Sequence, residues 1–452
     1  MPKWAAVILA AGKGTRMKSK LPKVMHHLAG KPMIAHVLDL VTQNRIERSL
    51  VVLGHGREQI EEFLVGRTEI VIQEEQLGTG HAVMQALPYL DGVDNIVVLS
   101  GDQPLIRTET LAELIRIHND SKGAATVLTA RFENPFGYGR IVKDGTKFIK
   151  IVEEKDATLE ERAIHEINTG TYCFNVAKLR KALKEITPQN AQGEYYLTEV
   201  FDRFTSQGEE IATYCTKDVN EALGINSRVQ LAEAEHVLRE RILKYWMDEG
   251  VTIIDPSSTF IDCEVELSRD VIIEPFTTLK GKTQVAEDAI LGPQSTLEDC
   301  TCGTGCHVAH SVAKEAQIGP HCNIGPFAYL RPGTVLAEGV KIGDFVEIKN
   351  SKIGQGSKVP HLSYVGDSQV GQAVNIGAGT ITCNYDGVKK HKTIIGDNVF
   401  IGSNTNLVAP VEVGDGAITG AGSTITKDVP AYALAVERST QKLKENWVRN
   451  KK

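Results

Sequence analysis

From residue 251 onward the chain repeats with a period of six, and no other feature limits its possible folds so tightly. Aliphatic side chains recur at Ile318, Ile324, Leu330, Leu336, Ile342 and Ile348, and again at Ile395, Ile401, Leu407, Val413 and Ile425. Earlier members are Ile273, Leu279, Val285, Leu291 and Leu297, while Ile353, Val359, Val365, Val370 and Ile376 carry the pattern across slips of register. Neither a helix nor an ordinary strand spaces its apolar residues in this way. A six-residue unit with one inward aliphatic is one short strand and one turn, which cannot bury its apolar side alone. Stacking supplies the partner. Units taken three to a coil predict a triangular parallel β-helix of roughly ten coils between 251 and about 437.

The first 225 residues obey another rule. Apolar runs at 6–9, 50–53, 70–72, 96–99 and 125–128 alternate with amphipathic patterns, which predicts an α/β domain, a parallel sheet covered by helices. Pro32 opens one helix, with Ile34, Val37, Leu38 and Val41 on a face, and Leu111, Leu114 and Ile115 mark another. Between the halves Leu231, Ala234, Leu238, Ile242 and Tyr245 are spaced by three or four and stop at Gly250, a connecting helix with a glycine stop. The expected domains are 1–226, a linker helix 227–250, and a repeat domain 251–452 ending in a basic tail.

Composition removes several function classes. With 42% hydrophobic and 24% charged residues the chain reads as an ordinary soluble protein. Its apolar runs fall short of the roughly 20 residues of a membrane helix, and the short run before the glycine loop does not suit a signal peptide. A net charge of −7 argues against a nucleic-acid partner, and the basic run 442–452 reads as a solvated terminus. Eight cysteines without disulfide-framework spacing point to reduced thiols in the cytoplasm. Cys300, Cys302, Cys306, His307 and His310 have metal-ligand chemistry. They lack paired CxxC spacing and are read as interrupting the repeat, which argues against a structural metal.

Directly after the first strand run come Leu9, Ala10, Ala11, Gly12, Lys13, Gly14, Thr15, Arg16 and Met17, then Pro22 and Lys23. A glycine-rich loop at the carboxyl end of a strand is where such sheets bind ligands, and its glycines let backbone N–H groups approach phosphate oxygens. Arg16 and Lys23 add charge that stabilises a leaving pyrophosphate. Asp102, closing the run Leu99, Ser100, Gly101, stands where an aspartate caps a helix or a turn about as often as it ligates a metal.

On these residues the chain resembles the sugar-nucleotide pyrophosphorylases. Across almost its full length it is similar to the bacterial bifunctional enzymes that join an N-acetylglucosamine-1-phosphate uridylyltransferase to a glucosamine-1-phosphate N-acetyltransferase. The resemblance implies a Rossmann-like mixed sheet followed by a left-handed β-helix. It implies UTP contacts from Leu9, Ala10, Ala11, Gly12, Lys23, Ser100 and Gly101, with the base read by Gln73, Gly78 and Thr79. It gives Gly137, Glu153 and Asn168 to the sugar, and Asp102 and Asn226 to Mg²⁺. The implied reaction is in-line attack by the phosphate of N-acetylglucosamine 1-phosphate on the α-phosphorus of UTP, which needs positioning and charge neutralisation but no side-chain nucleophile.

In the repeat domain the chemistry is expected where the hexads break, at 361–367 and 383–391, because insertions in repeat arrays become loops on one face. Acetylating an amine near neutral pH needs a base, and His361 lies in the first break. The resemblance makes His361 that base and implies that Arg331, Lys349, Tyr364, Asn375 and Lys390 hold glucosamine 1-phosphate, while Glu347 orients a neighbour. Ala378, Asn384, Tyr385, Ser403, Ala421 and Arg438 correspond to acetyl-CoA contacts. It also implies a homotrimer sharing this site between neighbouring β-helices, and an output, UDP-N-acetylglucosamine, that feeds peptidoglycan and lipopolysaccharide. Two other readings compete. One is a hexose-1-phosphate nucleotidyltransferase whose β-helix only oligomerises. The other is a non-catalytic regulatory subunit, which would have no need of Arg16, Lys23, Asp102, Asn226 and His361.

Overall fold

All five expected apolar runs become strands of one nine-stranded sheet: β1 (Trp4–Leu9), β2 (Arg48–Leu53), β3 (Glu69–Ile72), β4 (Asn95–Ser100), β5 (Ala125–Arg131), β6 (Arg140–Asp144), β7 (Lys147–Val152), β8 (Glu166–Asn175) and β9 (Ile211–Cys215). The computed structural model describes residues 2–12, 14–54 and 57–451, and the chain divides into two units, Met1–Leu238 and Arg239–Lys452. In the first unit the strand order is β9-β5-β8-β4-β1-β2-β3, with β6 joining β8 to β7. Neighbours are parallel except around β8, which runs antiparallel to β4, β5 and β6, and in the antiparallel β6–β7 pair. The sheet is therefore mixed where strand–helix alternation alone predicts a parallel one. The cause is local: the β6–β7 hairpin reverses the chain once, and the link through the short helix Leu159–Arg162 into β8 keeps that direction, so β8 opposes its other neighbours.

Successive side chains of the central strands fall into two separate cores. Val7, Val98 and Phe174 belong to one, and Ile8, Val97 and Cys173 to the other, as expected for a sheet covered on both faces. Helix α1 (Met33–Gln43) begins at Pro32, and α2 (Thr79–Ala86) and α3 (Thr108–Ser121) follow β3 and β4. Helix α4 (Arg228–Asp248) is the expected connector. Its Ala234 is buried with Leu28, Met33, Leu105 and Ile225 of the first unit, while Leu243 joins the core of the second, and the unit boundary falls within it. Among the described residues no helix is long and apolar enough to cross a membrane.

The second unit is a left-handed parallel β-helix whose walls are sheets of 11, 10 and 9 short strands. Each coil donates backbone N–H groups to the next, as from Thr252 to Val271, Ile272 to Ala289 and Ile290 to Cys306, at 2.9 Å in each case. The predicted aliphatic positions all face the interior. The cysteine cluster needs correcting. Cys302 stands in register between Val285 and Ile318, and Cys300, Cys302, Cys306 and Cys322 are all buried with the aliphatic column. They continue the repeat instead of interrupting it, because a thiol is a small apolar filler that suits a tightened coil. Burial pushes the Cys322 thiol up to about 11.

Two histidines tie the first unit to pH. His118 packs edge-on against Trp4 at 5.5 Å with Nδ1 3.0 Å from Thr126 Oγ1, and His36 Nε2 meets the Leu28 carbonyl at 2.9 Å. Burial lowers both from 6.5 to about 4. The unfolded chain therefore binds more protons between these values. Stability is complete above pH 6.5 and declines toward pH 4, by roughly 3 kcal/mol per histidine at the acid limit. Scanning calorimetry is expected to show a smaller fall in melting temperature between pH 7 and pH 5 for His118→Gln than for the parent chain. An equal fall would remove His118 from the account.

Candidate functional sites

The carboxyl ends of β1, β2 and β4 are held level by Ala10 N donating to Val52 O and Gly101 N donating to Leu9 O, both at 2.9 Å. Beside them opens a cavity of about 460 Å³. Ten of the predicted nucleotide-site residues line it: Leu9, Ala10, Ala11, Gly12, Lys23, Gln73, Gly78, Thr79, Ser100 and Asp102. Gly101 sits within the same strand end, whereas Gly137, Glu153, Asn168 and Asn226 lie outside this lining. Arg16 is exposed on the turn Thr15–Met17, also outside the lining, and Lys13 is outside the described residues.

Lys23 is the centre of the arrangement. Its Nζ donates to the Asp102 carboxylate and, at 3.1 Å, to Asn226 Oδ1, and the Lys23 and Asp102 side chains are only 13% and 14% exposed. Asn226 is brought across from residue 203 positions away by Ile225 N donating to Asp102 O at 3.0 Å and Asn226 N to Gln230 Oε1 at 2.8 Å. Gly14 has φ of 59°, and a Cβ there would stand 2.7 Å from Lys23 Cβ, so this loop position must be glycine for Lys23 to pass. Two hard oxygen donors thus converge on one positive group. Among the described residues no trio of His, Cys, Asp or Glu is arranged to cage an ion. This donor set suits a metal that completes its shell from phosphate oxygens and water, as Mg²⁺ does.

Glu153 and Asn168 form a shelf of their own. Thr198 Oγ1 donates to Glu153 Oε1 at 3.0 Å, Asn168 Nδ2 donates to Tyr172 OH at 2.7 Å, and Asn168 N donates to Gly139 O at 2.8 Å. Burial raises the Glu153 carboxyl. Gly137 N donates to Glu154 Oε2 at 3.2 Å, and Glu154 also pairs at 2.8 Å with the buried Arg140. Sequence reasoning missed Gln76 and Glu194, which line the nucleotide cavity. Gln76 lies inside the segment already singled out. Glu194 arrives on a distant loop through Tyr195 N donating to Leu77 O at 2.7 Å and Gly80 N donating to Tyr195 O at 2.8 Å, which no local pattern encodes.

On the β-helix, His361 donates Nδ1–H to Asp344 Oδ1 at 2.5 Å, and this bond holds the Asp344 carboxyl below its usual range. The two residues are register partners in adjacent coils. Asp344 is the third residue that sequence reasoning missed: it reads as an ordinary turn carboxylate until the coils are stacked. Glu347, expected to orient a neighbour, pairs with Arg331 at 2.7 Å. Lys349 and Lys390 approach so closely that the Lys349 ammonium lowers Lys390. Tyr364 and Asn384 adjoin them, with Asn384 Nδ2 3.4 Å from Tyr364 OH and 2.5 Å from Asp367 Oδ2.

The remaining predicted contacts fall elsewhere on the helix. Lys341, Lys358, Asn375, Phe400 and Ile418 are register partners in successive coils. Asp344, His361, Ala378, Ser403 and Ala421 each follow three residues later, so they form one column along a corner at about 4.8 Å per coil. Arg438 closes it by donating to Ala421 O at 3.3 Å. Asn375 belongs to a different wall from Arg331, Lys349 and Tyr364. Tyr385 projects, 61% exposed, from the second break.

Each unit matches a known family. A MobA-like NTP transferase domain matches residues 6–199, and the bacterial transferase hexapeptide (six repeats) matches residues 315–350 and 392–427. The chain is 72% identical to the Bifunctional protein GlmU of Desulfitobacterium hafniense (strain DSM 10664 / DCB-2), over 100% of both chains. It is 56% identical to that of Heliobacterium modesticaldum over 100% of this chain and 99% of the relative. Identity to that of Geobacillus sp. (strain WCH70) is 52%, over 99% and 98%.

The Gly14 contact makes a test. Gly14→Ala pushes Lys23 off Asp102 and Asn226, and titration calorimetry is expected to show nucleoside triphosphate binding weakened about tenfold, the worth of one charged hydrogen bond. Unchanged affinity would mean that Lys23 does not depend on the loop.

Proposed function

The chain belongs to the bifunctional GlmU family, and we propose that it carries out two consecutive reactions in the cytoplasm. The β-helix transfers acetyl from acetyl-CoA to the amine of glucosamine 1-phosphate. The first unit then transfers UMP from UTP to the resulting N-acetylglucosamine 1-phosphate, releasing pyrophosphate and giving UDP-N-acetylglucosamine, a precursor for the cell wall. The observation that carries this reading is that one chain, matched end to end by its relatives, holds two separate constellations, Lys23–Asp102–Asn226 and Asp344–His361.

In uridylyl transfer a phosphate oxygen of the sugar attacks the α-phosphorus, and the bond to the β-phosphate breaks. Lys23 supplies positive charge at the mouth of the glycine loop, and Gln73 with the start of α2 receives the base. Mg²⁺, held by Asp102 and Asn226 when bound, neutralises phosphate charge. The half-buried Glu153 and Asn168 shelf offers hydrogen-bond partners to sugar hydroxyls and the acetamido group.

In acetyl transfer the amine attacks the thioester carbonyl, the carbon–sulfur bond breaks and the CoA thiolate leaves. Asp344 holds Nδ1–H, so the ring's free lone pair is on Nε2, where it takes the amine's proton. Arg331, Lys349 and Lys390 gather around the sugar phosphate, a dianion that relieves the repulsion between the two lysines. The small side chains of Ala378, Ser403 and Ala421 continue the column beyond His361 and leave room for the long pantetheine arm of acetyl-CoA.

The trimer has support in an exposed apolar ladder one residue beyond that column. His310, Phe327 and Phe345 lie in line with ring centroids 5.8 and 5.4 Å apart, and Leu362 follows, exposed like the phenylalanines. Phe345 and Leu362 directly follow Asp344 and His361, so copies that cover the ladder border the acetyl-transfer site.

Assaying both half-reactions on purified protein tests the reading. Asp102→Ala is expected to abolish pyrophosphate release and spare thiol release from acetyl-CoA. His361→Ala does the reverse, with a loss of about 10²- to 10⁴-fold, and Asp344→Asn loses acetyl transfer alone by a smaller factor. Loss of both activities from either single change in folded protein would defeat the two-site reading.

A further inference from the structure

The amide that faces the nucleotide base is oriented from behind. Gln73 is 2% exposed, and its Nε2 lies 3.1 Å from the Gly78 carbonyl and 3.0 Å from His81 Nδ1. A carbonyl oxygen can only accept, so the amide atom beside Gly78 must be the nitrogen, whichever way the shape-symmetric group is drawn. Its second hydrogen points at His81 Nδ1, which must therefore carry a lone pair. That puts the ring proton on Nε2, 3.0 Å from Gln85 Nε2, and because two N–H groups cannot face each other the Gln85 amide is turned over so that its oxygen accepts. Both Gln73 hydrogens are then used. What Gln73 presents to the 460 Å³ cavity is Oε1, an acceptor with no hydrogen-bond partner among the described residues.

We propose that His81 is a positioning residue that sets base specificity: by holding the Gln73 amide nitrogen it leaves an acceptor aimed at the base. The inference rests on the reading of UTP as substrate. Uracil carries a hydrogen on N3 and satisfies that acceptor. Cytosine has a lone pair at N3, so acceptor meets acceptor, and Gln73 cannot turn its nitrogen inward without breaking its bonds to both Gly78 and His81. A site built around a buried hydrogen-bonding group rejects the ligand that leaves it unpaired far more strongly than an apolar pocket rejects a misfit.

His81 can be altered without cutting the core. It occupies the first turn of α2, its ring lies 6.3 Å from that of Tyr195, and it borders a separate cavity of about 560 Å³, so a shorter side chain opens onto existing space.

The experiment measures kcat and KM for UTP and for CTP, with N-acetylglucosamine 1-phosphate saturating, in the full chain and in His81→Ala and His81→Asn. Acetyl transfer by the same preparations serves as the folding control. His81→Ala is expected to raise KM for UTP about tenfold while kcat changes little, and to narrow the preference for UTP over CTP by at least that factor. His81→Asn, whose side-chain oxygen stands near the place of Nδ1 and accepts from Gln73, restores both. If His81→Ala keeps the parent preference for UTP, or if His81→Asn behaves no better than His81→Ala, the proposal is overturned. A parent chain that uses CTP as well as UTP would instead overturn the uridylyl reading itself.

Discussion

Everything in the second unit follows from one hydrogen bond repeated: the N–H of a coil donating to the carbonyl of the next. A backbone donor left without a partner in a packed wall costs as much as a lost bond, so coils stack only in registers that satisfy the whole ladder. Register then settles side chains as well. A residue facing inward in one coil stacks on inward residues in its neighbours, which is how Cys302 comes to lie between Val285 and Ile318. The same rule works on the outside. Asp344 meets His361 because their strands are in register, and the contact needs no special loop to create it.

This explains why a scaffold of such low complexity can hold chemistry. Residues 17 positions apart along the chain become neighbours at strand spacing, so a column of positions acts as a straight ruler along one corner. Polar residues at the start of that column give a carboxylate-backed histidine, and small ones farther on give a track. Where the ladder is interrupted, at 383–391, the chain is released to bring Lys390 beside Lys349 from a coil that register alone would not supply.

How much of this was legible in the sequence depended on the range of the contact. The hexads could be read because every one of them buries its aliphatic, so the pattern is a direct image of the core. The glycine loop beside the cavity could be read because Gly12, Gly14 and Lys23 fall in one short stretch of chain. Asp344 could not be singled out, since an aspartate after a glycine in a turn looks the same whether or not a histidine stacks on it. Glu194 and β8 share that difficulty. One is carried in by pairing with Leu77 and Gly80, and the other takes its direction from a hairpin, neither of which leaves a periodic trace. The cysteines were misread for another reason: their residue type looked like a break in the repeat, and only register and burial revealed fillers.

On the proposed reading, the two sites meet phosphate in opposite ways. In the first unit Lys23 is already paired with Asp102 inside a wall that leaves each about one-seventh exposed, so a triphosphate must compete for an ammonium whose charge is largely matched. Binding there exchanges one partner for another and favours a ligand that brings its own cation to satisfy Asp102 and Asn226. On the β-helix Arg331 has Glu347, while Lys349 lies close enough to lower Lys390 against the opposing pull of Asp367, and on the proposed reading a dianion between the two lysines removes that repulsion. The first arrangement discriminates by what must be displaced, the second attracts by what is left unmatched. A selective nucleotide site and an open sugar-phosphate site can therefore be built from the same lysines and carboxylates, differing in whether the fold pairs them before the ligand arrives.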